Sequence, residues 1–222
     1  MFKQIFEIFK SDSLYEQALT ECYEMLEIDR EMFNESINSL RHSDTAEIPI
    51  DIYKMDNKIN EFERDVRRKI MTHLVVVSGQ QDLGSGLILV SVVIDIERIG
   101  DYTKNIYDLA QNHPKKLSSG SLQETLDNME NSTKEFLNKA IDAFKNQDIE
   151  LARSLMEEYK TDISSTSNEI VNALVSGQNS EFSSDQASTL CLYARYLKRI
   201  AAHSRNLVSS IVNPFERIGY PE

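Results

Sequence analysis

Apolar side chains recur along this chain at the three- and four-residue spacing of helices that bury one face. Ile52, Ile59, Phe62, Val66 and Ile70 form one such stripe, and Val90, Val93 and Ile94 begin another that runs into Glu97. Polar punctuation separates the stretches. Ser13-Leu14-Tyr15-Glu16, Ser121-Leu122-Gln123-Glu124 and Ser183-Ser184-Asp185-Gln186 fit the capping box, in which a serine hydroxyl and the N3 side chain satisfy each other's free backbone amides. Asp82 and Asp148 fit simpler N-caps. Breaks fall at Ser43 to Pro49, around Gly79 to Asp82, at His113 to Gly120, near Asn146 to Asp148 and at Gly177 to Ser184. The pattern predicts six helices, over about 12–42, 50–79, 82–112, 121–146, 148–177 and 184–212.

The two halves resemble each other. Residues 97–106, ERIGDYTKNI, align with residues 198–207, KRIAAHSRNL, keeping Arg, Ile and Asn in register at an offset of 101 residues. Each segment belongs to the third helix of its half. The expected architecture is therefore all-α, two tandem three-helix bundles over 1–112 and 121–222, with 113–120 as the linker. A short amphipathic stretch with Phe2, Ile5, Phe6 and Phe9 precedes the first bundle and is expected to pack on it or on a dimer partner.

Composition supports this picture and removes whole classes of function. Only 7 Gly and 4 Pro occur in 222 residues, which favours long helices over a many-stranded sheet. Lys and Arg number 24 against 36 Asp and Glu, a net charge of −12, so nucleic acid and anionic lipid are poor partners for most of the surface. Cys22 and Cys191 show no zinc or disulfide spacing. Residues 1–12 lack the features of a secretory signal, and the apolar run Gly86 to Ile96 is too short to span a bilayer, so a cytoplasmic location is expected.

Carboxylates offer the only visible chemistry. Glu97 and Asp101 stand four apart on one helix face, where their repulsion requires a compensating cation, either Lys104 and Arg98 or a bound metal. A metal with oxygen ligands would also offset desolvation at the end of an apolar stripe. Asp56, Asn60 and Glu63 on the preceding helix follow i, i+4, i+7 spacing and can complete a two-helix oxygen site, or pair with Lys58, Arg64 or Arg67. None of the four histidines has Glu three residues before it, as a di-iron oxidase bundle requires, and no phosphate-cradling glycine loop or nucleophile elbow is present. An enzyme is not expected.

Asp95-Ile96-Glu97-Arg98-Ile99-Gly100-Asp101-Tyr102-Thr103-Lys104-Asn105-Ile106 resembles the E-x-x-x-D segment of the PhoU family, cytoplasmic regulators of phosphate uptake and phosphate-starvation signalling. Asp56, Ile59, Asn60 and Phe62 match the upstream helix of that family. The resemblance implies paired three-helix bundles, often dimeric. It also implies iron, zinc, manganese or another divalent or trivalent metal at Glu97, Asp101 and Asp56, with Glu63 and Asn60 as secondary ligands. Implied partners are the ATPase of the phosphate ABC transporter and the phosphate-sensing histidine kinase.

The second half departs from the motif. Lys198 and Ala202 stand in place of Glu97 and Asp101, and aligning Ile163 with Ile59 sets Lys160 and Ser167 in place of Asp56 and Glu63. No acid occurs between Asp185 and Glu216, an interval holding Arg195, Lys198, Arg199 and Arg205. These four side chains either pair with neighbouring helices or form an anion or acidic-partner contact. The expected protein is a metal-binding regulator with one intact site, and the alternative is a metal-free helical adaptor that docks by its acidic surface.

Overall fold

The computed structural model of the chain describes residues 13–76, 80–113, 115–177 and 181–221, among which every regular element is helical. The amphipathic stretch Phe2 to Phe9 lies outside the described residues. Helix α1 spans Leu14–Ile37 and continues through a π turn, Asn38–His42; α2 spans Ile52–Val76 and α3 Gln80–Asn112. The second half holds α4, Gln123–Asn146, then α5, Ile149–Glu158, which passes through a π turn at Tyr159–Ser164 into α6, Ser165–Val175. Helix α7, Ser184–Val212, completes it. With α5 and α6 taken as one rod, these are the six expected helices.

The caps divide by chemistry. Ser13 accepts from the Glu16 amide, Asp148 accepts from the Leu151 amide, and Ser183 with Gln186 forms a full capping box. The expected box at Ser121 does not form. A 3-10 turn, Gly120–Leu122, precedes α4, and Ser121 turns its amide and hydroxyl to the Glu181 carboxylate. Asp82 likewise falls inside α3, whose described helix already runs from Gln80.

Helices α1, α2 and α3 pack on one another, α4 packs with α5 and α7, and α3 lies against α7 to join the halves. The core of α1 includes Cys22, Met25, Leu26, Met32 and Phe33, all within 1% of complete burial. An offset of 104 residues carries every buried position of α1 from Cys22 to Ser36 onto a buried position of α4 from Leu126 to Ala140. The duplication therefore extends well beyond the aligned motif.

Its pseudo-twofold axis runs through the α3·α7 seam. His203 Nδ1 lies 2.7 Å from Asp95 Oδ1, and Tyr102 lies 6.0 Å from Tyr196 between ring centroids. Because 95 and 196 differ by 101, as do 102 and 203, these are the same pair of positions seen from either side. Tyr102 and His203 stack across the axis at 5.7 Å. Asn206 donates to the same Asp95 oxygen at 2.9 Å, and Arg199 reaches both Tyr102 and His203, so the seam's polar groups satisfy each other.

A second joint is built on Arg41. The π turn at the end of α1 carries this guanidinium into the interior, where it donates to Glu130 at 2.7 Å, Asp127 at 2.8 Å, the Leu117 carbonyl at 2.8 Å and Ser119 at 3.2 Å. Tyr193 donates to the same Glu130 oxygen at 2.6 Å. The Leu117 amide donates back to the Leu40 carbonyl. The passage between the halves, the expected linker 113–120, is strapped down, with Leu117 and Ser119 buried.

Removing Arg41 would strand buried Glu130, so Arg41→Met is expected to destabilise the protein by about 3–5 kcal/mol, read from urea unfolding. The double variant Arg41→Met/Glu130→Met should recover most of that loss, because no charge is then left unpaired in the interior.

Candidate functional site

The carboxylates singled out by the motif meet at the exposed rim of the α2·α3 contact. The stripe leading to them is less buried than its spacing suggests. Val93 is in the core, Val90 is half-buried and Ile94 is 37% exposed. Helix α3 touches α1, α2 and α7 together, so its core face, with Leu89, Val92, Ile96 and Ile99, is broad and the Val90/Ile94 line falls at its edge. Glu97 and Asp101 are consequently half-buried rather than enclosed.

Charge in this rim is answered from within the chain. Lys104 Nζ lies 3.0 and 2.9 Å from the two Asp56 oxygens and 3.3 Å from Asp101. Burial pulls the Lys104 ammonium down, but Asp56 and Asp101 outweigh it and hold its pKa above the ordinary lysine value. Arg98 donates to Asp101 at 2.7 Å and lies 3.5 Å from Glu97. Arg67 pairs with Glu63 at 2.8 Å, and Asn60 donates to the Asp56 backbone and carboxylate. The structure thus brings Asp56, Asn60 and Asp101 together around Lys104, while Glu63 turns to its own helix. Glu97 is pushed up by burial and then by Asp101.

One acid missing from the motif lies beneath this rim. Asp29 of α1 is fully buried, and among the described residues neither carboxylate oxygen has a hydrogen-bond partner. Burial raises its pKa well above the ordinary aspartate value, and Glu97, Asp56 and Asp101 push it further. Gly100 of α3 makes room for it: a Cβ there would lie 2.8 Å from Asp29 Oδ1 and 2.9 Å from Ile59 Cδ1. The sequence signal was an acid on the apolar stripe of α1, three residues after Leu26 and four before Phe33.

Every acid of this arrangement is replaced in the second half, and Gly100 with them. The offsets of 104 and 101 residues set Thr133 for Asp29, Lys160 for Asp56, Ser167 for Glu63, Lys198 for Glu97, Ala201 for Gly100 and Ala202 for Asp101. Buried Ser167 closes on the Ala194 carbonyl at 2.9 Å. Of the four cations expected either to pair with neighbouring helices or to contact an anion, Arg195, Lys198 and Arg199 lie near one another and Arg205 turns elsewhere. Lys198 donates to Asn168 at 2.9 Å, Arg199 serves the seam, and Arg205 reaches the Gly219 carbonyl and stacks over Tyr159. Arg195 is exposed. Burial and then the neighbouring Arg195 and Arg199 lower the Lys198 ammonium.

Among the described residues, no group of three or more His, Cys, Asp or Glu side chains is arranged to hold a metal ion. The donor types nonetheless fit one. Asp29, Asp56, Glu97 and Asp101 offer hard oxygen ligands, and the buried, unpartnered Asp29 needs either a proton or a cation. Among the described residues no helix is long and apolar enough to cross a membrane.

Fold and site together define a tandem three-helix bundle protein whose first repeat carries an acidic rim that its second repeat lacks. A PhoU domain family model matches residues 22–110 and 126–211, one match per repeat, and the chain belongs to the PhoU family. Among solved structures, PhoU from Pseudomonas aeruginosa superposes with a TM-score of 0.74 at 21% identity, covering 90% of this chain and 95% of that one. The phosphate transport system regulatory protein PhoU from Streptococcus pneumoniae gives 0.72 at 16% identity, covering 89% and 93%. No curated protein matches the chain.

Two outcomes follow from Asp29. In chelator, the folded chain keeps the Asp29 proton to higher pH than the unfolded chain, which releases it near the ordinary pKa of about 4. Its contribution to stability is full below that value and is lost as pH rises. Asp29→Asn should therefore gain on wild type between about pH 4 and pH 7 in urea midpoints. Gly100→Ala should cost about 1–3 kcal/mol in the same assay, since both neighbours of the added methyl lie under 3.0 Å away.

Proposed function

We propose that this protein is a non-catalytic regulator of phosphate uptake and phosphate-starvation signalling. It works in the cytoplasm, binds the ATPase of a phosphate transporter and a phosphate-sensing histidine kinase, and carries a hard cation in its first bundle. The regulatory part is supported by the PhoU family match over both repeats and by similarity to a phosphate transport system regulatory protein.

The cation part is carried by Asp29, a buried carboxylate without a hydrogen-bond partner under an acidic rim. Asp29, Asp56, Glu97 and Asp101 would hold the ion, which would supply the positive charge that lets Asp29 ionise. Arg98 and Lys104 orient the rim carboxylates, and Lys104 must leave Asp56 for those oxygens to turn to another cation. Self-association into a dimer belongs to the same reading and is read from the mass in solution.

Lys104 also favours a second reading, a metal-free adaptor in which that ammonium is the permanent counter-charge of the rim. Metal content separates the two. Chelator-treated protein is reloaded with iron, zinc or manganese, and wild type is compared with Glu97→Gln/Asp101→Asn. Cation binding should leave about one or more ions per wild-type chain, raise its unfolding temperature and be lost in the variant. Wild type that stays empty and unshifted with all three metals establishes the adaptor instead.

A further inference from the structure

Where the π turn ends α1, the helix parts from α4 and leaves an open cavity of about 220 Å³ between the halves. Asn34, Asn38 and His42 line one wall, and Glu130, Asn131 and Lys134 the other. The space equals that of about seven waters, enough for a tetrahedral ion with some hydration and too little for a large cofactor. Single-turn π segments often mark functional positions, and this one sends Arg41 inward while leaving His42 on the cavity wall.

Unused hydrogen-bonding capacity in this cavity is divided by depth. Among the described residues, the side chains of Asn38, His42, Asn131 and Lys134 make no hydrogen bond or ion pair, and all four are exposed at the rim. They supply one fixed cation, one imidazole and two amides. Deeper in, Asn34 donates to the Arg30 carbonyl at 2.9 Å, which leaves its buried Oδ1 without a donor. Glu130 is buried as well. One of its oxygens takes Arg41 and Tyr193, so its charge is met by the guanidinium while the other oxygen makes no hydrogen bond among the described residues. The cavity therefore has donors and positive charge outside and acceptors inside, of which Asn34 Oδ1 is buried without a donor.

We propose that this cavity between the halves binds a small protonated oxyanion, orthophosphate, through Lys134, His42 and the rim amides, with its hydroxyl turned to Asn34 and Glu130. Those inner acceptors choose among anions. Orthophosphate keeps one or two protons at neutral pH and donates to them, whereas sulfate keeps none and would set oxygen against oxygen. Geometry asks for a protonated oxyanion, and the choice of phosphate rests on the regulatory reading above. A ligand here contacts α1 and α4 beside the Arg41 joint, so its binding energy falls on the connection between the halves.

Calorimetric titration of the full chain with orthophosphate and with sulfate, in chelator so that no metal-bound phosphate contributes, tests the site. Saturable phosphate binding with at least about a tenfold preference over sulfate is expected. Lys134→Met, an exposed position that should leave the unfolding midpoint unchanged, should weaken phosphate about tenfold. Asn34→Leu should narrow the preference over sulfate, and Glu97→Gln/Asp101→Asn should leave phosphate binding intact. No saturation by about 10 mM phosphate, equal binding of sulfate, or wild-type affinity in Lys134→Met would overturn the site. Phosphate uptake by cells lacking the protein keeps this separate from the broader reading: altered uptake control with no phosphate binding sinks only the cavity, and unaltered uptake sinks the regulator.

Discussion

A guanidinium that is nearly removed from water must find acceptors for its donors, and Arg41 finds them on two separate pieces of chain. Glu130 and Asp127 fix α4, while the Leu117 carbonyl and Ser119 fix the passage between the halves. An ordinary last turn of α1 would not have placed this side chain so; the π turn supplies the extra residue. Once Arg41 is seated, the route from α3 to α4 and the angle of α4 to α1 have little freedom left. Its position in the fold thus decides more of the architecture than any single apolar contact does.

The second joint, along α3 and α7, is almost a homodimer interface within one chain. The same positions pair twice, as Asp95 with His203 and as Tyr196 with Tyr102, with the chemistry allowed to differ on the two sides. Burial is conserved between the repeats even where residue type is not, as Asp29 and Thr133 show at fully buried, equivalent places. Packing constrains volume and position more tightly than charge, so the acids of one repeat can disappear while its helices stay where they were.

Helix number, helix order and duplication were legible because caps and breaks are local and the motif recurs at a fixed offset. Ser13, Asp148 and Ser183 behave as their spacing implies. Ser121 does not, because Glu181 is distant in sequence and offers its amide and hydroxyl a charged acceptor. The neighbours of the rim were also legible in kind, since Lys104, Arg98 and Arg67 are within a turn of their acids or on the adjoining helix. Asp29 was not, because its significance lies in what surrounds it on α2 and α3. Nor was the breadth of the α3 core face, which follows from that helix touching three others. Arg41 gave no periodic signal at all: its burial depends on a π turn and on acceptors 76 to 89 residues away.

The twofold frame with unlike contents has a geometric meaning of its own. A truly symmetric pair of bundles presents the same face after half a turn, so anything that meets it has two equivalent poses and no information about direction. Here the half-turn exchanges Asp56, Glu97 and Asp101 for Lys160, Lys198 and Ala202. Loss of the second acidic set breaks that degeneracy. The molecule has a head and a tail on a scaffold that by itself has neither, and a surface reading its charges can tell which way round it lies.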